Sequence, residues 1–371
     1  MNMVCSINMC AGCMLCADVC PQQAITIHKS VAAYSAIIDT NKCCNCGLCH
    51  KICQINFQPQ FREPIFSTQG WAKDENIRYR SSSGGFATAL EISFILNGGI
   101  VYSCTYKDGE FCFASASTVE EVSKFAGSKY VKSNPSGVYK EIRYQVRKGR
   151  RVLFVGLPCQ VAAVLNYCGE SENLYTVDLI CHGTPSPDLL FMYLKDNRIS
   201  KEDVHSISFR SKTRFRLDSN EISITYPRIL DFYTDAFLKG TTYTENCYSC
   251  KYARIERVSD ITLGDSWGSE LSKEEQLKGI SLALVQSQKG MMLIESAELC
   301  LKNVSIETAV NNNHQLKHPS IMNADRKVFF SEIKKGNSFS LAYRRTFPKQ
   351  YFKDKIKLLM IKLHLLGGEG K

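Results

Sequence analysis

Eight cysteines near the start of the chain share one rhythm. Cys10, Cys13, Cys16 and Cys20 follow C-x2-C-x2-C-x3-C-P, and Cys43, Cys46, Cys49 and Cys53 repeat the cysteine spacing with every member displaced by 33 residues. Three thiolates in one tight loop suit a 4Fe-4S cubane: the loop reaches three corners, and the fourth cysteine opens a helical segment leading toward the sister cluster. The spacing therefore assigns one cluster to Cys10, Cys13, Cys16 and Cys53, and a second to Cys43, Cys46, Cys49 and Cys20. Such clusters pass electrons singly. Gly12 and Gly47 fall between ligands, where a side chain would crowd inorganic sulfide. Zinc is the plainer reading of clustered cysteines, but it takes two separated pairs and has no use for a third cysteine two residues on.

This module resembles the bacterial dicluster ferredoxin domain. It departs from that pattern at Gln54, which follows Cys53 where the first repeat has Pro21. Cys5 and Cys44 lie outside the repeat and read as bystanders. "AITIHKS" (24–30) and "AIIDT" (36–40) read as short strands pairing the two halves.

A ferredoxin would stop near residue 58, yet the chain continues through "FQPQFREPIF" into some three hundred further residues. Elements there must bring a second chemistry to the clusters. "RSSSGGFATALEISFILNGG" reads as a Ser-capped, Gly-rich helix start, an apolar helix and a Gly-Gly stop. Its open N–H groups suit a phosphate or pyrophosphate, although such a start also caps plain helices. "RRVLFVGLPCQVAAVLNY" is a strand, a turn and a helix with Cys159 in its first turn. "YTVDLICHGTPSP" repeats the plan, with Cys181 and His182 past the strand. Parallel strands end on one edge of a sheet, so Cys159 and Cys181 are expected to face one crevice. Cys247 and Cys250 form a C-x2-C pair that fits zinc, a redox disulfide or half an iron-sulfur site.

Together, "SSSGG", "GSKYVKS" (127–133), "VLFVGLPCQVAA", "DLICHGTPSP", "ISFRSK" and "CYSCKYARIERVSDITLGDSWG" resemble the coenzyme F420 hydrogenase/dehydrogenase beta-subunit family, over about residues 1 to 335. The resemblance implies FAD held by Ser83, Gly84 and Gly85 and by Ser128, Lys129 and Tyr130. It also implies a third 4Fe-4S cluster, carried over to Cys159, Cys181, Cys247 and Cys250. Against that ligand set stands Cys159 as a thiol catalyst, activated by its helix N-terminus. His182 is either a proton donor near the flavin or a structural histidine. Lys129 and Arg210 are candidates for a flavin or substrate phosphate, or else surface residues. Asp265 and Trp267 read as turn builders, and Cys104, Cys112, Cys168 and Cys300 as buried bystanders.

The fold class expected is α+β: a small duplicated ferredoxin-like dicluster domain (1–58), a larger mixed α/β flavin and iron-sulfur domain (63–335), and a basic helical tail (336–371). The tail reads as a cap on its own domain, with docking to a partner or a membrane surface as the alternative. The composition, 44% hydrophobic and 22% charged over 371 residues, is that of a globular protein. Eighteen cysteines without a secretory leader point to reduced thiols and a cytoplasmic location. No apolar run reaches the roughly 18 residues of a membrane span. The formal charge of +10 falls to roughly +4 once three dianionic clusters are counted, and no nucleic-acid-binding signature accompanies it. The expected function is an iron-sulfur flavoprotein oxidoreductase. It would link a hydride-carrying coenzyme or small-molecule substrate to a ferredoxin-like or other redox protein. The alternatives are an electron-transfer subunit with no substrate site and a ferredoxin-dependent reductase of a biosynthetic, sugar-derived intermediate.

Overall fold

The structure, a computed structural model, describes residues 2–220, 222–226 and 228–365. At the N-terminus, β1 (Asn2–Met3), β2 (Ile25–Lys29) and β3 (Tyr34–Ile38) form an antiparallel sheet with β3 in the middle. The hairpin β2–β3 joins the two cysteine loops, each of which runs into a five-residue helix, Leu15–Val19 and Leu48–Ile52.

The main body is built on an eight-stranded sheet. β4 (Phe66–Ala72), β5 (Ile100–Lys107), β6 (Glu110–Ala116), β7 (Val152–Gly156) and β8 (Leu174–Leu179) precede a small antiparallel sheet of β9 (Ile207–Ser211), β10 (Arg214–Ser219) and β11 (Ile222–Ser223). β12 (Ile261–Asp265), β13 (Ser281–Val285) and β14 (Leu299–Asn303) then return to the large sheet, whose order is β14-β4-β13-β12-β8-β7-β5-β6. The central strands β5, β7, β8 and β12 are parallel and the outer pairings antiparallel. β7 reads Val-Leu-Phe-Val-Gly because both of its faces are covered; all five residues are buried.

Side chains alternate between the two covers. Leu153, Val155 and Val177 pack against helices Phe86–Leu96 and Gln288–Ser296. Val152, Phe154 and Leu174 pack against helices Val138–Arg147 and Pro158–Cys168. Helix Val138–Arg147 buries Tyr139, Ile142 and Val146, a helical spacing; each such side chain contributes about 1.5–3 kcal/mol by leaving water. The N-terminal module joins this second face, because Leu15, Val19 and Ile52 belong to the same core.

A separate core gathers Phe209 and Leu217 of the small sheet with Leu190, Phe329, Phe339 and Tyr343. Phe339, Ala342, Tyr343 and Phe347 are buried there, although the sequence reading assigned them to the tail. The part of the chain that stands clear of the core starts at Pro348, with a helix, Pro348–Lys362, that has no buried residue. That helix meets the body along one side, where the Tyr351 ring lies 5.8 Å from that of Phe232. The outermost residues 366–371 lie outside the described residues.

Candidate redox centre

The two cysteine loops fold alike. Gly12 and Met14 take left-handed backbone in the first (φ 70° and 60°), and Asn45 and Gly47 take it at the equivalent positions of the second (φ 56° and 70°). Cys20 and Cys53 each end the following helix in extended backbone, which carries the fourth cysteine across to the other loop. Cys53 thus lines one small cavity with Cys10, Cys13 and Cys16, and Cys20 lines another with Cys43, Cys46 and Cys49. An added Cβ at Gly12 would lie 2.8 Å from the Tyr34 ring, whereas one at Gly47 would meet nothing within 4 Å. Gly47 takes positive φ, a backbone conformation that glycine adopts without strain.

Cys5 also lines the first cavity and Cys44 the second. Cys5 is buried, and its thiol hydrogen-bonds to Cys10 and Cys53, which with burial holds its proton far above the ordinary cysteine range. It is no bystander. Among the described residues, no three His, Cys, Asp or Glu side chains are disposed around a single metal ion. The thiols of each quartet stand around the walls of their cavity.

A third cavity lies at the ends of the parallel strands. β7 and β8 pair in register, Gly156 opposite Asp178, so the segments leaving them emerge side by side. Cys159, in the first turn of helix Pro158–Cys168, and Cys181, past β8, meet Cys247 and Cys250 from the loop 245–250; all four line the cavity. Burial pushes the thiols of Cys159, Cys181 and Cys250 up. At Cys159 desolvation outweighs the neighbouring cation Lys132, the opposite direction from the activation that a helix N-terminus favours.

Sequence reading missed the two buried cations of this cavity. Lys132 is buried and donates to the Ala11 carbonyl at 2.9 Å. Burial alone would depress its ammonium, but the thiols of Cys247 and Cys159, with Tyr34 and Cys10, outweigh that and raise it. Arg257, also buried, lies 3.9 Å from Asp178, and its Nε and Nη1 have no hydrogen-bond partner. The side-chain amide of Gln54, the departure noted above, is likewise buried and unpartnered, between the first and third cavities. Buried donors left unpaired cost about 1–3 kcal/mol each, so four thiols beside two cations and an orphan amide fit an anionic iron-sulfur group.

A cavity of about 410 Å³ lies at the same strand ends, within the range of cofactor sites. Helix Phe86–Leu96 starts at it with Gly85 (φ 91°) as N-cap and no side-chain cap, so its first N–H groups remain open to a ligand. The expected serine cap is corrected: Ser81 and Ser83 donate to the carbonyls of Ile77 and Ile280, and Ser82 accepts from the Ser128 N–H at 2.8 Å. Gly84 is a correction too. It does not line the cavity, and a Cβ there would fall 2.3 Å from the Gly70 carbonyl oxygen and 2.6 Å from the Ser281 nitrogen. Ser83, Gly85, Ser128 and Tyr130 do line it.

Lys129 faces the cavity but donates to the carbonyls of Phe125, Ala126 and Gly127, so it clamps its own loop instead of offering a free phosphate site. Arg210 is bidentate to Asp265 and lies 5.2 Å from the Trp267 ring; these residues form a wall of the cavity and are neither surface residues nor mere turn builders. His182 is pushed down to about 4 by burial, with the neighbouring His314 adding to it, and Gln315 Nε2 lies 2.5 Å from its Nδ1. The shift favours the neutral imidazole at pH 7, whose single N–H remains a donor. Glu91, missed in the sequence because it lies inside an apolar helix, is buried on the cavity wall, and burial pushes its carboxyl up to about 8.

These cavities stand in a row. The second and first share Cys16; the first and third share Ala11, Gln54 and Ile55; the third and the large one share Leu157, Cys181, His182, Gly183 and Thr184.

A mixed sheet with a cofactor-sized cavity and a thiol-lined cavity at its parallel strand ends defines a redox class of protein. The models for the coenzyme F420 hydrogenase/dehydrogenase beta subunit match residues 67–139 (N-term) and 149–309 (C terminus), and the chain belongs to this family. The N-terminal cysteine repeat lies outside both matches. A curated relative, the coenzyme F420-dependent sulfite reductase of Methanocaldococcus jannaschii, is 27% identical over 169 residues, 43% of this chain and 25% of that protein. The chain thus spans about a quarter of the length of that relative. A chain of the F420-reducing NiFe hydrogenase complex from Methanosarcina barkeri has a similar fold, with TM-score 0.50 and 19% identity, covering 69% of this chain and 91% of that one.

Proposed function

We propose that the chain is an iron-sulfur flavoprotein oxidoreductase. It couples hydride exchange at the large cavity to single-electron exchange with a redox protein, ferredoxin-like or other, near the second N-terminal cavity. The observation that carries this reading is the row of shared walls, which links a cofactor-sized cavity to three thiol-lined ones without a gap. Two 4Fe-4S clusters would be held by the crossed N-terminal sets and a third by Cys159, Cys181, Cys247 and Cys250. FAD would lie along the start of helix Phe86–Leu96, beside Ser83, Gly85, Ser128 and Tyr130. Bound there, a flavin supplies the exchange between an electron pair and single electrons.

The chain's own residues do the rest. The uncapped helix N-terminus offers its N–H groups to a pyrophosphate. Arg210, held by Asp265 and 5.2 Å from the Trp267 ring, fixes one wall. Glu91 keeps a proton on its carboxyl at neutral pH. Cys181 and His182, common to the third and large cavities, leave no room between cofactor and thiols. The names of the relatives support a deazaflavin donor, with a nicotinamide or small organic molecule as the competing class.

The test uses anaerobically purified protein. Iron analysis should return about twelve atoms per chain, with flavin absorbance beside it. Stopped-flow mixing with reduced deazaflavin, reduced nicotinamide or reduced ferredoxin then shows which donor bleaches the flavin first. Protein lacking flavin, or about eight irons unaltered by Cys250→Ala, would overturn the assignment. So would a Cys181→Ala variant that passes electrons onward at the wild-type rate.

A further inference from the structure

Helix Pro348–Lys362 stands clear of the core, and its two sides differ. Tyr351, Leu358 and Ile361 are half-buried toward the protein, with the Tyr351 ring 5.8 Å from that of Phe232. The outward side carries Phe352, Ile356, Leu359, Met360 and, at the C-cap, Leu363, all between 36% and 60% exposed. Their spacing of three and four residues places them in a sector of about 100° of the helix. Five large apolar side chains in one exposed row are not scattered surface hydrophobics; they form a face that something covers.

The charges beside the row identify the cover. Lys353 and Lys357 follow one border of the apolar sector and Lys355 and Lys362 the other; Lys357 donates to the Arg228 carbonyl, and the other three are exposed. The helix has one acidic residue, Asp354, which lies away from the row and accepts from Gln350 at 2.9 and 3.0 Å. A second copy of the helix would bring lysine against lysine along both borders, which disfavours self-association. We infer that this helix lies on an anionic lipid surface, with the apolar row among the acyl chains and the flanking lysines at the headgroups. Among the described residues no helix is long and apolar enough to cross a membrane, so the contact is peripheral and reversible. It rests on the outer face of this helix alone and is independent of the cofactor assignment.

The test is cosedimentation of the full-length protein with vesicles of phosphatidylglycerol and phosphatidylcholine in equal parts, compared with phosphatidylcholine alone. Binding should occur to the anionic vesicles and weaken as salt is raised. Ile356→Glu combined with Leu359→Glu should lower the partition constant at least tenfold. Each of Lys353→Gln, Lys355→Gln and Lys362→Gln should lower it roughly fivefold. All five side chains are exposed, so iron and flavin content should match the wild type and exclude misfolding as the cause. Absence of sedimentation with anionic vesicles, or equal sedimentation with both compositions, overturns the inference. So does a dimer in gel filtration that Ile356→Glu abolishes in a protein that ignores vesicles, since a second copy would then be the cover.

Discussion

A lysine ammonium is buried at a cost of several kcal/mol unless an anion lies close by. The groups that raise Lys132 are the thiols of Cys247, Cys159 and Cys10 and the phenol of Tyr34, so its natural counter-ions are whatever those thiols bind. A fixed positive charge between two such groups makes each easier to reduce. Lys132→Met should therefore lower the midpoint potentials of the first and third centres by about 59 mV, a tenfold change for one electron, and leave the second unchanged. Lys132→Arg should keep the wild-type values. EPR-monitored redox titration reads all three, and equal potentials in Met and wild type would remove the role. Glu91 makes a different claim. An unfolded glutamate ionises near 4.3, whereas burial holds this one protonated to about 8, so between those values the unfolded state sheds a proton that the folded state keeps. The group is therefore least harmful to stability below about pH 4, and it erodes stability by about 1.4 kcal/mol per unit as pH rises toward 8. Denaturant titrations at pH 6 and 8 should show Glu91→Gln narrowing the difference between the two by about 2 kcal/mol. An unchanged difference would mean that the carboxyl ionises normally.

Adjacent glycines at the start of helix Phe86–Leu96 do unlike jobs. Gly84 is pressed against β4 and β13 through Gly70 and Ser281, so a side chain there must displace backbone. Gly85 has left-handed φ, and its nearest neighbours to an added Cβ are side chains at 3.2–3.3 Å. Gly84→Val is expected to destabilise the whole fold by about 3 kcal/mol or more. Gly85→Val is expected to cost about 1–2 kcal/mol of backbone strain and to reduce bound flavin in a chain that still folds. Thermal unfolding and flavin absorbance per chain separate the two; full flavin retention in a folded Gly85→Val protein would move the cofactor elsewhere. The helix itself was legible from its apolar run and Gly-Gly stop. Which of two neighbouring glycines faced the cavity was not, because that depends on β4 and β13, which approach from distant parts of the chain.

The N-terminal module is stitched to the body along its length. Tyr139 donates to the Cys13 carbonyl at 2.6 Å, Tyr252 to Gln54 at 3.0 Å and Asn166 to Phe57 at 2.7 Å, while Leu15, Val19 and Ile52 fill the core beneath helix Val138–Arg147. A link in sequence is therefore not a hinge in space. Proteolysis within 58–65, where Ile65 is 61% exposed, should leave two fragments that co-elute in gel filtration with their iron retained. Fragments that separate without denaturant would show that the module is held by the link alone. The same interlocking means that deleting residues 1–61 would uncover apolar core, so such a deletion is no clean assay of electron exit.

What the sequence determined by itself was local and repetitive. The two cysteine quartets are displaced by 33 residues, and the left-handed residues recur at the same offset in both loops. The unbroken apolar run of β7, and the same strand-and-turn plan repeated at β8, marked parallel strands whose shared edge put Cys159 beside Cys181. What only the tertiary structure decided were encounters between residues far apart in the chain. Lys132 reaches the thiols of Cys159 and Cys247, Arg257 reaches Asp178, Cys5 joins Cys53, and Glu91 turns from a helix interior onto a cavity. None of these has a spacing to read, because burial and electrostatics depend on distance in space and the intervening chain places no fixed limit on it. The same holds for the final helix: its lysines and apolar residues were visible in the sequence, but the side turned away from the protein was settled by the packing of Tyr351 against Phe232.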